Sequence, residues 1–249
     1  MLPVRLYISA PFGNYYSHPD AISVLGTYTL LHRAGFIKKW WRVFKTLRPY
    51  PGGWLNKLGL PNPGIHAAPK PTENTVISLH GFDKEDWLDL QYAAYAKGWR
   101  KVELNLSCPN VTASSIDDAV YAARSAILFE MDVIAKLGPV KPMQFVKPLS
   151  EACVTKFHLC NTIPTPNGGI SGAGLKPFSL WAVEEVRKHY PWAHIIGGGG
   201  INNVQDVKDY INAGANDVAI GGGLLNPFTA RKKIACLVEY IKNQLAPLI

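Results

Sequence analysis

Short apolar runs that each lead into a longer amphipathic stretch constrain this chain more than any other feature. The runs are residues 4–10, a segment within 38–46, then 75–79, 102–106, 144–147, 156–161, 193–196 and 217–220. Several alternate apolar and polar side chains, which is the period of a strand. Between them lie segments with helical spacing and recognisable ends. One opens at His18-Pro19-Asp20, carries Ile22, Leu25, Tyr28 and Leu31, and closes at Gly35. Others cover 83–97 before Gly98, 115–137 before Gly138-Pro139, 177–190, 204–213 before Gly214, and 227–245. Strand–helix alternation implies parallel pairing, and eight such units imply a closed α/β fold, the (β/α)8 TIM barrel. The 249 residues, 47% hydrophobic, suffice for one such barrel, and no linker-like change of composition divides them. Residues 1–249 therefore read as a single domain.

In a barrel of this kind chemistry sits at the C-terminal ends of the strands. The fourth run, Val102-Glu103-Leu104-Asn105-Leu106-Ser107-Cys108-Pro109-Asn110, breaks at a proline that cannot extend a ladder. It leaves two amides and a thiol at the strand's mouth. The polar residues at this and the other strand ends are Asn14, Lys45, Thr46, Asn105, Cys108, Asn110, Lys147, Asn161 and Thr162. Amides, hydroxyls, two lysines and a thiol suit a flat, hydrogen-bonding, partly anionic ligand. Gly199-Gly200 follow the seventh strand and Gly221-Gly222-Gly223 the eighth. Glycine lets backbone N–H groups approach a phosphate closely, and these two loops are where such barrels hold one.

Charge and cysteine usage narrow the class. The formal charge of +8 suits anionic ligands without demanding nucleic acid. Cys108, Cys153, Cys160 and Cys236 are scattered, with no C-x-x-C pair, which argues against an iron–sulfur cluster, a zinc ribbon and a disulfide framework. No metal site is expected. No apolar run approaches the ~20 residues that span a bilayer, and the N-terminal Met1-Leu2-Pro3-Val4-Arg5 is too short to be a signal peptide. A cytoplasmic protein is expected, with no membrane and no nucleic-acid partner. The basic aromatic patch Lys38-Lys39-Trp40-Trp41-Arg42 reads as strand packing with solvated lysines, the alternative being contact with a membrane surface or nucleic acid.

Residues 103–110 resemble the catalytic motif of the dihydroorotate dehydrogenases, FMN enzymes with a barrel fold. Residues 52–64 resemble that family's substrate loop, and Phe145-Val146-Lys147 its flavin-contacting lysine strand. Gly168-Gly169-Ile170-Ser171-Gly172 with Leu175-Lys176-Pro177 resembles the segment before its sixth helix. Residues 195–201 and 220–223 resemble its flavin phosphate loops. The resemblance implies oxidation of dihydroorotate to orotate in pyrimidine biosynthesis. Cys108 would take the proton from C5 while hydride leaves C6 for the flavin. Asn56, Asn105, Asn110, Asn161 and Thr162 would hold the substrate, and Gly59 and Leu60 would close over it. Lys45, or Lys39 in a competing alignment, would contact both substrate and flavin, with Thr46 beside it. Lys147 would face the flavin N1, and Gly172, Gly199, Gly200, Gly221 and Gly222 would line its phosphate and ribityl chain.

Cysteine rather than serine at the base position resembles the soluble class 1 enzymes, and Gly53-Trp54-Leu55-Asn56 followed by Asn62-Pro63-Gly64 resembles class 1B. That class implies a homodimer and a separate subunit carrying FAD and an iron–sulfur cluster; fumarate is the alternative acceptor. The chain departs from the family in three places. Residues 147–156 are too few for a crossover helix, residues 64–74 hold Pro69 and Pro71 where a helix is expected, and the loop after Asn110 is brief. His80 stands where the family has a small residue, and reads as structural. Two alternatives stay open: a flavin reductase acting on another pyrimidine, such as a dihydropyrimidine or tRNA dihydrouridine, and a flavin- or orotate-binding protein with little turnover.

Overall fold

A computed structural model describes residues 3–33, 47–56, 59–106, 115–166 and 168–244. Eight strands close a barrel: β1 (Leu6–Ile8), β2 (Ala21–Tyr28), β5 (Thr75–Leu79), β6 (Lys101–Asn105), β7 (Asp132–Leu137), β8 (Lys156–Leu159), β11 (His194–Gly198) and β12 (Asp217–Ile220). Every neighbouring pair is parallel, and β12 returns to pair with β1. Six helices follow barrel strands: α1 (Lys84–Ala96), α2 (Ile116–Leu128), α3 (Met143–Glu151), α4 (Lys176–His189), α5 (Val204–Asn212) and α6 (Pro227–Gln244). Four further strands, β3 (Leu47–Tyr50), β4 (Gly53–Asn56), β9 (Ile163–Thr165) and β10 (Gly168–Ser171), make a separate antiparallel sheet in the order β3-β4-β10-β9. It joins segments that follow β2 and β8 in the chain.

The barrel holds, but three sequence expectations change. Residues 21–28 are a strand, not a helix. The run Ala-Ile-Ser-Val-Leu-Gly-Thr-Tyr is largely buried on both faces, and periodicity cannot separate a short buried strand from a helix segment. Gly26, at φ 108°, could not sit inside a helix. The strand expected within 38–46 lies outside the described residues, and the barrel closes without it.

Residues 115–137 are α2 followed by β7, not one helix. The helix ends in a Schellman motif: Glu130 N–H donates to Ile127 and Met131 N–H to Ala126, with Glu130 at φ 56°. A glutamate occupies the left-handed position that glycine usually marks, so the stop is hidden. The strand expected at 144–147 is consequently α3, which buries Val146 and Leu149 against the barrel; Pro148 sits inside it, costing one ladder bond rather than ending a strand. With β7 placed earlier, the crossover from β7 to β8 has room for its helix.

The two faces of the strands divide the core. Ile77, Leu104, Phe157, Ile195 and Val218 point outwards among Trp87, Ala122, Val183, Val207 and Leu237 from the helices. Tyr7, Val24, Val76, Ile134, Ile196 and Ala219 form a separate cluster within the barrel. At the N-terminal end, Asp217 staples the seam. Its carboxylate, 1% exposed, accepts from Arg5 N–H at 2.8 Å, from Arg5 Nη2 at 3.2 Å and from His194 Nε2 at 2.7 Å. One acid thus ties β1, β11 and β12 where the first and last strands meet. Asp217→Ala should cost about 2 kcal/mol, because it removes the buried acceptor shared by one backbone donor and two partly exposed side-chain donors. Urea unfolding checks this; a loss below ~1 kcal/mol would remove Asp217 from the seam.

Candidate active site

The two-residue period of the strands decides which side chains reach the interior. On β6 these are Glu103 and Asn105, on β7 Ile134 and Lys136, on β8 His158, and on β5 Val76 and Ser78. The apolar cluster of Tyr7, Val76, Ile134 and Ala219 fills the lower barrel. Two residues further along each strand the lining turns polar, with Ser78, Glu103, Asn105, Lys136 and His158 all buried.

These groups form one connected hydrogen-bond path. Asn161 Nδ2 donates to Asn105 Oδ1 at 3.0 Å, and Asn105 Nδ2 donates to Thr27 Oγ1 at 3.1 Å. Thr27 and Ser78 hydroxyls meet at 2.9 Å, and Ser78 Oγ donates to Glu103 Oε1 at 2.8 Å. Since the single Ser78 proton points at the carboxylate, Thr27 is the donor of the pair. Lys136 Nζ donates to the same oxygen at 3.3 Å, and His158 Nδ1 to Glu103 Oε2 at 2.7 Å. The path runs from the barrel interior to the two amides at its mouth. His80 Nδ1 donates to the carbonyl of Asn105 at 2.7 Å, so this histidine holds the strand end that carries the amide.

Charge follows from these contacts. Burial alone would push the Glu103 carboxyl up; the Lys136 ammonium and the hydrogen bonds of His158 and Ser78 outweigh it and bring the pKa down to about 2. Burial pushes His158 down, against the pull of Glu103, and pushes His80 down as well. The half-buried Cys160, just beyond β8, has its thiol raised to about 11 by desolvation, so it stays protonated near neutrality.

Beside the amides, three loops meet. A Cβ on Gly200 would stand 3.0 Å from the Gly172 carbonyl, and one on Gly222 would stand 3.7 Å from Gly172 N. Gly172 and Gly199 both hold φ 107°, a conformation other residues rarely adopt. Gly221 packs over Ser9, whose buried hydroxyl has no hydrogen-bond partner among the described residues. Thr162 Oγ1 is likewise buried and, among the described residues, without a hydrogen-bond partner. A cradle built largely of glycine backbone, with the Ser9 hydroxyl beside Gly221, is suited to an anionic ligand group.

The structure brings together Asn105, Asn161 and Thr162, and separately Gly172, Gly199, Gly200, Gly221 and Gly222. Asn56 lies on β4 opposite Gly169 of β10, so the antiparallel sheet carries it. Asn62 anchors residues 60–64: its Oδ1 accepts from Thr29 and Gly64 N–H, and its Nδ2 donates to the Leu60 carbonyl. That fixes Leu60, with Gly59 before it at φ 74°. Asn14 is a backbone clamp, bonded both ways to Gly26. Lys147 is corrected: it is exposed on α3, outside the barrel. Among the described residues, Lys136 is the lysine that lines the interior, and it was missed because β7 was hidden within a helical reading. The signal was the short, mostly apolar run Asp132-Val133-Ile134-Ala135-Lys136-Leu137, stopped by Gly138-Pro139. Lys39, Lys45, Thr46, Cys108 and Asn110 lie outside the described residues. Among the described residues, no three His, Cys, Asp or Glu side chains gather as a metal site, and no helix is long and apolar enough to cross a membrane.

Residues 20–241 match a family model described as dihydroorotate dehydrogenase. Similar proteins include the catalytic subunit of dihydroorotate dehydrogenase B (NAD(+)) from Thermotoga maritima, 31% identical over 196 residues that cover 68% of this chain and 72% of the relative. The subunit of that name from Staphylococcus carnosus is 31% identical, covering 73% and 70%, and that from Bacillus mycoides 30%, covering 87% and 80%. In structure, the chain is similar to dihydroorotate dehydrogenase of Eimeria tenella, crystallised with ferulenol. The TM-score is 0.72 at 17% identity, over 96% of this chain and 80% of the other.

The depressed Glu103 pKa gives a stability prediction with a definite sign. A carboxyl held at about 2 when folded, against 4.5 ordinarily, contributes roughly 3 kcal/mol. That contribution is complete above about pH 4.5 and is lost as pH falls through about 2. In urea titrations, the advantage of the parent over Glu103→Gln should vanish across this window. A pH-independent difference would contradict the assignment.

Proposed function

The chain belongs to the dihydroorotate dehydrogenase family, and we propose that it oxidises dihydroorotate to orotate with FMN, Cys108 removing the C5 proton. The observation that carries this reading is the Asn161–Asn105 amide pair at the barrel mouth, bonded at 3.0 Å, next to the glycine cradle. An amide offers both donors and an acceptor in one plane, which complements the alternating N–H and C=O groups of a pyrimidine.

FMN fits the residues present. Gly172, Gly199, Gly200, Gly221 and Gly222 would hold its phosphate and ribityl chain, with Ser9 as an unsatisfied hydroxyl below. Lys136, buried at the inner end of the site, would take the role expected of Lys147, placing a positive charge against the flavin ring. Bound there, FMN supplies the two-electron acceptor that no side chain provides.

The protein's own part is to bind, orient and deprotonate. Asn56, Asn105, Asn110, Asn161 and Thr162 would hold the ring and its carboxylate, and Gly59 and Leu60 would cover it. Lys45, or Lys39, would contact substrate and flavin together, with Thr46 beside it. Cys108, a residue type whose thiol has a reference pKa of about 8.5, would be the base. Cys160 is unsuited to that role, since burial holds its proton. For the electrons' exit, a separate FAD and iron–sulfur subunit is preferred to fumarate: the relatives are named as NAD(+)-type catalytic subunits, and this chain's cysteines are scattered. The catalytic chain itself would pair as a homodimer.

The purified protein should be yellow, or become so with FMN, and should bleach on adding dihydroorotate without oxygen. A colourless protein that cannot be loaded overturns the reading; a yellow protein that does not bleach points to another pyrimidine. Cys108→Ala should slow bleaching by about 10²–10⁴-fold, and the parental rate should rise with pH towards the thiol pKa.

Two lysine variants test the corrected strand. Lys136→Met should weaken FMN binding or bleaching at least about tenfold, in line with the loss of a charge-assisted contact. Lys147→Ala should match the parent in both. The reverse pattern would return the role to Lys147.

A further inference from the structure

Substrate and cofactor binding leave one buried charge without a task. The Glu103 carboxylate is 1% exposed and takes three donors: His158 Nδ1 at 2.7 Å, Ser78 Oγ at 2.8 Å and Lys136 Nζ at 3.3 Å. Lys136 and His158 are register partners on β7 and β8, so both side chains converge on it from neighbouring strands. The bond to Lys136 is the longest of the three. His158 and Ser78 therefore hold the carboxylate in place, so that it tethers the lysine while compensating its charge only in part. With His158 kept neutral by burial, the cluster carries one positive and one negative charge.

We infer that Glu103 is a positioning residue for the cofactor: acting through Lys136, it fixes the ammonium and offsets part of its charge, and so sets how strongly the site prefers reduced over oxidised FMN. This rests on the FMN reading above. A lysine on a flexible four-carbon stem has many rotamers, and a buried hydrogen bond selects one. A negative charge at this depth opposes the extra electron density of a reduced flavin ring, because Coulomb interactions are weakly screened inside a barrel. A glutamate that served packing alone would affect both flavin states equally.

The test is the flavin midpoint potential of the full-length, FMN-loaded protein, equilibrated against redox dyes. Glu103→Gln should raise the potential, equivalent to about a tenfold gain in preference for reduced FMN. Glu103→Asp, which keeps the charge, should stay within about threefold of the parent. An unchanged or lowered potential in Glu103→Gln overturns the inference. Should that variant fail to fold, Ser78→Ala is measured instead: it removes one of the two donors that hold the carboxylate back from the lysine, so the potential should fall, and an unchanged potential overturns the proposal. A parent that takes up no FMN overturns the FMN reading and this inference with it. A parent that binds FMN while the potentials do not move overturns only the inference.

Discussion

A carboxylate buried inside a parallel barrel dictates much of what surrounds it. Desolvating Glu103 as an anion is tolerable only if donors meet its oxygens, and three strands besides its own have to supply them. Ser78 comes from β5, Lys136 from β7 and His158 from β8. Because side chains alternate with a period of two, a one-residue slip in any of these strands would turn its donor outwards. The carboxylate thus specifies register across half the barrel. The same three contacts place the polar layer directly above the apolar one formed by Tyr7, Val76, Ile134 and Ala219. Chemistry and packing are separated along the barrel axis by two residues of strand.

The outline of this arrangement was legible in the sequence because barrel strands and their helices leave strong periodic signals. Six of the eight barrel strands fell within or beside the expected runs. The misses share a physical cause. The segment 21–28 is buried on both faces, so it lacks the alternation that marks a half-buried strand, and its apolar residues fell by chance on helical spacing. The junction at Glu130 ends a helix without glycine, and the strand behind it was absorbed. One misplaced strand then displaced the lysine assignment from Lys136 to Lys147, eleven positions along. The amides and glycines were easier to find, since residues 102–110 and the glycine runs carry their meaning locally. The donors around Glu103 were not, because Ser78, Lys136 and His158 are far apart in the chain and only closure of the barrel brings them together.

The antiparallel sheet was not anticipated either, and its construction explains why. Its strands are only three or four residues long, below the length at which periodicity is informative. Glycine dominates its tightest approach. A Cβ on Gly53 would collide with the Ser171 carbonyl, so β4 and the end of β10 can sit together only without a side chain there. What read as a loop rich in proline and glycine is, in residues 47–56, a hairpin pinned against the segment that leads to Gly172. The sheet therefore couples Asn56 to the glycine cradle through backbone contacts, which links the two halves of the site.

That coupling bears on the departures from the family pattern. With α3 filling the crossover between β7 and β8, the barrel wall has lost nothing at that point. Residues 65–67 form a 3-10 turn in place of a longer helix, yet Ile65 is fully buried and Asn62 secures the turn to the end of β2. A short, well-satisfied turn can hold a binding loop as firmly as a helix, since the conformational entropy of the loop falls with its length. The economy of the chain is thus met by side-chain anchors, Asn14 and Asn62 chief among them, which replace secondary structure in holding the loops against β2. Asn14 bonds the backbone of that strand at Gly26 and Asn62 the backbone at Thr29, just past its end, so the element whose strand character was hardest to read is also the one beside which the mouth of the barrel is fastened.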